Sequence, residues 1–161
     1  MATGSVSVIS LRVFPGDRVH ELIPSYDSEA GILSATSAMQ CNWMFGFNID
    51  GCLVFDLDKN KILVNVDCLI PKKRWKRRDQ VWPSNNAKKG RVQFNVGQGQ
   101  NSIGKSVDCT FTDVVFVCSS HDKKIIYIQI GSEIGSEFLE LSRNCLVTMS
   151  DNKLTGFWMR I

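Results

Sequence analysis

The sequence predicts a mainly β fold, and three observations lead to this prediction. Several runs of strand length are rich in β-branched and aromatic side chains and alternate in part with period two. Turn-forming residues, chiefly Asp, Asn, Gly and Ser, separate these runs. Two stretches, 26–70 and 121–161, can also be aligned with each other. We therefore expect an antiparallel sheet, sandwich or barrel-like, in a single globular domain covering residues 1–161.

Four apolar runs are the clearest strands. They are "ILVNVDCLI" (62–70), "RVQFNV" (91–96), "CTFTDVVFVC" (109–118) and "KIIYIQI" (124–130). The connection "DLDKNK" (56–61) precedes the first run, and its Asp and Asn residues tolerate the left-handed conformation that a tight hairpin requires. The spacing therefore predicts hairpins rather than helical crossovers.

The two alignable stretches predict an internal repeat. Leu33 and Cys52 are separated by the same number of residues as Ile126 and Cys145, and both cysteines begin the tripeptide "CLV". An Asp/Asn turn and a further strand follow in each copy. We interpret each copy as a β-meander that cannot bury its apolar face alone, so the two should pair across one core. Cys52 and Cys145 should then occupy equivalent packing positions.

Each copy resembles a small prokaryotic β-meander domain family of uncharacterised function. The first copy carries "YDSEAGIL", "FDLDKNKILVNVD" and "PKKRWKR", and the second carries "HDKKIIYI" and "SDNKLTGFWM". The resemblance covers about half the chain and implies meanders with a basic helix after the first. Asn65 replaces the family's glycine, which Gly156 retains, and Trp158 stands where the family has an acid. The resemblance implies no catalytic residue.

The charge of the chain is concentrated in one segment. The net charge is +3, but residues 71–91, the basic segment, carry nine Lys and Arg against one acid. Pro71 suits a first helical position, and Pro83 prevents a helix from continuing. The sequence therefore predicts a short basic helix between the copies, with Trp75 and Trp82 on one face and the basic residues facing water.

The basic segment is the main functional candidate. Lys and Arg neutralise phosphates, and tryptophan can stack on an unpaired base. We therefore expect a non-enzymatic binding protein that contacts a polyanion such as a nucleic acid. Tryptophan and arginine also dominate protein interfaces, so a protein partner or a homo-oligomer built through edge strands is the alternative. A purely solvated surface is the third interpretation. The contact residues would be Lys72, Lys73, Arg74, Trp75, Lys76, Arg77, Arg78, Trp82, Lys88, Lys89 and Arg91.

A second alternative is nucleotide binding through a glycine-rich loop. "GQNSIGKS" (99–106) fits the phosphate-loop pattern, with Gly99, Gly104, Lys105 and Ser106 at its defining positions. Such a loop holds phosphate only when a helix follows it, whereas the pattern of the residues after Ser106 is typical of a strand. The stretch 97–104 is instead predicted to be a flexible hairpin connection.

No catalytic, cofactor or metal site is predicted. Asp56, Asp58 and Asp67 are interpreted as hairpin residues, and "CSSHD" (118–122) is interpreted as a strand end and a turn rather than a triad. The six cysteines form no C-x-x-C pair, which favours reduced core thiols and argues against zinc. No apolar run is long enough to span a membrane, and no signal peptide is evident, so a cytoplasmic location is expected.

Overall fold

Fifteen short strands dominate the part of the chain that the structure describes. The computed structural model describes residues 9–17, 20–79, 81–83, 87–95, 105–109 and 116–161, with side chains in all but 105–109 and 116. The strands are β1 Leu11–Phe14, β2 Leu22–Asp27, β3 Ile32–Ser37, β4 Phe45–Ile49, β5 Leu53–Leu57, β6 Leu63–Cys68, β7 Lys76–Arg77, β8 Ala87–Lys88, β9 Arg91–Phe94, β10 Lys105–Cys109, β11 Phe116–Ser119, β12 Ile125–Gln129, β13 Glu137–Ser142, β14 Cys145–Ser150 and β15 Lys153–Arg160.

The strands form two large sheets and one small ribbon. The first sheet has the order β10-β4-β5-β6-β3-β2, and the second has the order β7-β11-β12-β15-β14-β13-β8. Strands β1 and β9 pair as a separate antiparallel ribbon. Most pairings are antiparallel, which confirms the mainly β, antiparallel prediction.

The two sheets share one strand order. The series β4-β5-β6-β3-β2 in the first sheet has its counterpart in β13-β14-β15-β12-β11 of the second. The pairings Leu33–Cys68 and Leu53–Cys68 match Ile126–Met159 and Cys145–Met159. This correspondence supports the predicted internal repeat, which as a relation between sequences stays a prediction.

The strand register corrects one detail of that alignment. Cys145 is fully buried and takes the place that Leu53 takes in the first sheet, because each pairs with the equivalent residue of the next strand. Cys52 lies one residue earlier, in the turn before β5, and is only half-buried. Cys52 and Cys145 are therefore not equivalent in packing, contrary to the prediction, since the sequence match "CLV" is displaced by one residue.

The sheets pack face to face around one core. Alternate residues of the central strands point inward, and the rings of Phe55 and Phe157 meet between the sheets with centroids 6.0 Å apart. Phe55 also contacts Phe47 and Phe94 at centroid distances of 5.1 and 5.4 Å. Burying four large rings at one point removes several hundred Å² of apolar surface from water, and this burial is the main stabilising contribution at the centre of the fold.

The ribbon β1–β9 closes one end of the sandwich. Leu11 N donates to Asn152 O in the turn between β14 and β15, and Phe94 N donates to Lys61 O in the turn between β5 and β6. The ribbon thus joins matching turns of both sheets. Since Leu11 and Phe94 are buried in the core, the ribbon also covers apolar surface between the sheets.

The predicted basic helix is reduced to a single 3-10 turn. Lys72–Arg74 form this turn, and the chain then becomes extended and pairs with β11 through β7. Arg78 N continues this pairing by donating to Ser119 O. The segment thus contains a short basic helix, but this helix ends at Arg74 and does not extend over Trp75 as predicted, because tertiary strand pairing and burial of Trp75 outweigh local helix propensity, which is a weak preference.

Three edge strands pair in parallel, which the sequence did not indicate. Strand β10 runs parallel to β4, β8 to β13 and β7 to β11. Two of these edges occupy matching positions in the two sheets, since β4 and β13 are counterparts. The predicted flexible loop 97–104 lies outside the described residues.

Gly156 has a specific packing role on the outer face of the second sheet. A Cβ atom there would lie 2.2 Å from Ile128 O and 2.8 Å from Tyr127 Cε2, so only glycine lets the Tyr127 ring lie against this strand. Tyr127 faces away from the core but is buried, because its ring lies over Gly156. Aromatic rings cover glycines in other β-sheets in the same way.

We predict that Gly156→Ala lowers the free energy of unfolding by about 1–3 kcal/mol, because the added methyl group overpacks a filled position. Urea unfolding followed by fluorescence measures this. Ser25→Ala, at an exposed position of β2, serves as the control and should change stability by less than about 0.5 kcal/mol. Equal effects of the two substitutions would contradict the packing role of Gly156.

Candidate functional site

The basic segment contacts both edges and the middle of the second sheet. Lys76–Arg77 form edge strand β7, and Ala87–Lys88 form edge strand β8 at the opposite edge. Between them, Trp82 meets Trp158 of β15, the central strand of the seven. The segment therefore lies on the outer face of this sheet rather than forming a separate helix.

Trp82 packs on a layer of aromatic side chains from neighbouring strands, on the outer face of the second sheet. Cross-strand neighbours Tyr127 and Trp158 stack with centroids 4.9 Å apart, and the Trp82 ring approaches Trp158 edge-on at 6.4 Å. The guanidinium carbon of Arg160 lies 4.4 Å from the Trp82 ring centroid. Leu146, the other neighbour of Trp158, is buried on the same face. The second sheet is consequently buried on both faces near its centre.

Trp75 has a different role from the one predicted for it. Its side chain is only 8% exposed and belongs to the core, and Nε1 donates to Ile70 O at 2.9 Å. The ring contacts Tyr26 edge-on, and Lys72 Nζ lies 4.8 Å from the Tyr26 ring centroid. Trp75 is thus an anchor for the 3-10 turn and not a surface contact, and the prediction that it shares one face with Trp82 was wrong.

The remaining basic residues face water in two groups. At the β7 edge these are Lys73, Arg74, Lys76, Arg77 and Arg78, all exposed, with Lys72 half-buried. At or beside the β8 edge, the exposed basic residues are Lys88, Lys89 and Arg91. Six strand spacings separate the two edges, or about 29 Å at about 4.8 Å each. The predicted contact residues are therefore not one continuous patch.

Edge strands of both sheets carry residues that oppose further strand pairing. β7 is formed by Lys76 and Arg77, Lys88 lies in β8, and Pro24, which lacks an N–H group, lies within edge strand β2. Short charged edges and proline discourage edge-to-edge association. These features give no support to a homo-oligomer formed through these three edges.

The described residues at the end of the phosphate-loop pattern form a strand and not a helix. Gly99 and Gly104 lie outside the described residues. Lys105 and Ser106 begin β10, which pairs with β4, whereas a phosphate loop of this type leads into a helix whose N–H groups face the ligand. Nucleotide binding therefore stays a prediction without structural support.

The outer face of the first sheet is polar where that of the second is aromatic. Asn65 Nδ2 donates to Asp67 Oδ2 at 2.8 Å and to Asp56 Oδ2 at 3.3 Å, and Ser34 Oγ donates to Asp67 Oδ1 at 2.6 Å. Burial is the main cause that raises the pKa of Asp56, and the nearby Asp67 adds to it. Asp56 and Asp58 do not share a site, because Asp56 bonds to Asn65 across the sheet, whereas Asp58 lies beyond the end of β5 and bonds to the backbone of the following turn.

Asp58 belongs to a cluster that the sequence did not indicate. Its Oδ1 accepts from Asn60 N and Ile62 N, which fixes the β5–β6 turn, and its Oδ2 lies 2.8 Å from His20 Nε2. His20 Nδ1 lies 3.5 Å from Ser37 Oγ. That distance exceeds the roughly 2.6–3.2 Å typical of an activated nucleophile, so the cluster acts as a tether for the segment before β2. No spacing in the sequence could have revealed it.

The other chemical candidates have structural roles. In "CSSHD", Ser120 Oγ donates to Asp122 Oδ1 at 2.6 Å and accepts from Ile125 N, which is the predicted turn. The five cysteines with described side chains are all free thiols, and burial raises the pKa of Cys68 to about 11 and of Cys145 to about 12. Within the described residues, no three His, Cys, Asp or Glu side chains cluster as metal ligands.

Comparison with known proteins assigns no relative to the chain. No protein family matches it, and no curated protein is similar to it in sequence. The resemblance of each copy to a small β-meander domain family therefore stays a prediction. In the described ranges, no helix has the length and apolarity needed to cross a membrane.

We predict that Trp75→Ala lowers the free energy of unfolding by about 3–5 kcal/mol, because it empties a core position and removes the Nε1 hydrogen bond. Trp82→Ala should cost less, since its ring is only partly buried. Urea unfolding of both variants tests the different roles of the two residues. If Trp82→Ala proved the more damaging, the assignment of Trp75 to the core would be wrong.

We predict opposite pH dependences for two aspartates. The pKa of Asp56 is raised in the folded state, so ionisation of Asp56 lowers the stability of the parent as pH rises. Asn does not ionise, so the stability of Asp56→Asn should increase relative to that of the parent from about pH 3 to pH 7. The hydrogen bond from Ser120 Oγ is the main cause that lowers the pKa of Asp122, so Asp122→Asn should lose relative stability over the same range. Urea unfolding at several pH values measures both. Parallel changes in the two variants would contradict the assigned causes.

Proposed function

We propose that this chain is a non-enzymatic binding protein that holds a nucleic acid against the outer face of its second sheet. The observation that carries the proposal is the arrangement of eight exposed basic side chains at the two edges of this sheet, with Trp82 between them over its central strand. Basic side chains attract phosphates, and an aromatic side chain between them provides a surface for a base.

The charge distribution supports a local rather than a general attraction. Outside the basic segment, the chain has more acidic than basic residues. A polyanion is therefore attracted to the second sheet and repelled by much of the remaining surface, including Asp56 and Asp67 on the outer face of the first sheet. One face of the sandwich thus suits the partner and the other does not.

The spacing of the two basic groups favours an extended ligand. A partner that reaches both edges must cover about 29 Å, which is several nucleotides long. Trp82 interacts with unpaired bases more readily than with stacked pairs, so a single strand suits the surface better than a duplex. Free thiols in the core are also typical of proteins in a reducing compartment, and we include a cytoplasmic location in the proposal.

A protein partner is the second candidate, and Val81 favours it. Its side chain is 81% exposed beside Trp82, between the two basic groups. Tryptophan and arginine are enriched in protein-interface hot spots, and a protein partner would also remove the exposed Val81 side chain from water. This partner would bind with little dependence on salt, whereas a nucleic acid would be released as salt increases.

We predict that the double variant Arg74→Gln/Arg77→Gln binds a fluorescein-labelled single-stranded DNA 12-mer about tenfold or more weakly than the parent at about 50 mM salt. The slope of log K against log salt should become shallower by about 0.7 for each phosphate that the variant no longer neutralises. Fluorescence anisotropy at about 50, 100 and 200 mM salt measures both quantities.

The double variant Lys59→Gln/Lys153→Gln is the matched control, because it removes the same charge from exposed positions outside the basic segment. Its affinity should stay within about threefold of the parent value. Equal weakening of both double variants would show that net charge alone matters, and no binding by the parent at low salt would overturn the nucleic-acid proposal.

A further inference from the structure

A cavity of about 250 Å³ lies beside Trp82 on the outer face of the second sheet. It is bounded by Trp82 and Ala87 from the basic segment, by Leu146 from β14 and by three charged residues, two in strands and one in a turn. Cavities that hold drug-sized ligands occupy roughly 300–1,000 Å³, so this one suits a single small ring with its substituent. The charged residues are Glu140, Arg143 and Arg160.

Two arginines give the cavity its chemical character. Arg143 is exposed in the turn between β13 and β14, and Arg160 near the end of β15 covers the Trp82 ring. Within the described residues neither arginine makes an ion pair. Guanidinium groups present several donors in a fixed fork that matches phosphate oxygens, so these side chains suit a phosphate rather than a neutral ligand.

Leu146 and Trp82 are the large apolar residues that line the cavity. Leu146 is buried, and Trp82 is partly buried and offers its aromatic ring to a base. Glu140 also lines the cavity and already takes part in another interaction, but a carboxylate accepts several hydrogen bonds and can receive a further one. An acceptor in this place favours a base that carries an amino group, as cytosine does, over thymine, which offers an oxygen there.

We propose that this cavity holds one nucleotide of a bound single strand, with its phosphate at Arg143 and Arg160 and its base against Trp82 and Leu146. This inference rests on the proposed function and goes beyond it, because Arg143, Arg160 and Glu140 lie outside the basic segment. The cavity lies on the β8 side of Trp82, since Ala87 and Glu140 line it. It would fix the position of a strand that the two basic edges only attract.

The test measures binding of fluorescein-labelled dC 12-mer and dT 12-mer to the full chain at about 100 mM salt. Arg143→Gln should weaken dC 12-mer binding by about tenfold, because it removes a charge-assisted hydrogen bond to phosphate. The Lys59→Gln/Lys153→Gln control should change it by less than about threefold. The parent should bind the dC 12-mer more tightly than the dT 12-mer.

Arg160→Gln is informative only with a fold control, because Arg160 also covers Trp82. Its melting temperature is therefore measured together with its affinity, and Arg143→Gln decides the question if Arg160→Gln unfolds. If Arg143→Gln and the control bind equally while Arg74→Gln/Arg77→Gln loses affinity, the cavity inference is overturned and the proposed function stands.

A titration with dCMP tests binding in the cavity independently of binding of the 12-mers. The side-chain signals of Trp82 and Leu146 should shift in NMR spectra at millimolar dCMP, and the shifts should disappear in Arg143→Gln. Shifts without any binding of the 12-mers would show a site for a free nucleotide and would overturn both the proposed function and the placement of a bound strand in the cavity. No shifts at Trp82 or Leu146 would overturn the cavity inference.

Discussion

The second sheet has apolar side chains on both faces, and this constraint determines where the basic segment lies. The inner face packs on the first sheet around Phe55 and Phe157. The outer face presents Tyr127, Leu146 and Trp158, and leaving these in water would forfeit several kcal/mol of burial. Trp82 meets this layer at the central strand. Because the segment pairs at both edges of the same sheet, its charges are held at those edges.

The two sheets have the same strand order, but the outer face of the first is polar and that of the second is aromatic. In the first sheet, the outer positions of β6 are Asn65 and Asp67, which bond to polar neighbours and face water. At the matching positions of β15 lie Gly156 and Trp158. Glycine admits the Tyr127 ring, and tryptophan extends the aromatic layer. These substitutions distinguish a solvated face from a covered one.

Three of the four clearest runs could be predicted as strands, because alternation and turn residues are local signals: 62–70, 91–96 and 124–130 contain β6, β9 and β12. The prediction of one strand over 109–118 was wrong, since Cys109 ends β10 in the first sheet and Phe116 begins β11 in the second. The position of the basic segment could not be predicted. "KKRWKRRDQ" favours a helix locally, but burial of Trp75 and pairing of Lys76–Arg77 with β11 are long-range interactions that no spacing reveals. The same holds for the cavity residues, since Arg143 and Arg160 come from strand ends far from residues 71–91. The basic residues themselves were identifiable from charge alone, while their division between two edges required the strand order.

The proposed function depends on the outer face of the second sheet being the binding surface. Hydrogen–deuterium exchange with and without a single-stranded DNA 12-mer tests this most directly, because it reports on both sheets at once. We expect slower exchange in peptides covering 76–83 and 87–91, and in β14 and β15, with no change in peptides from β3 and β6. Protection confined to the first sheet, or unchanged exchange at saturating DNA, would contradict binding at this face.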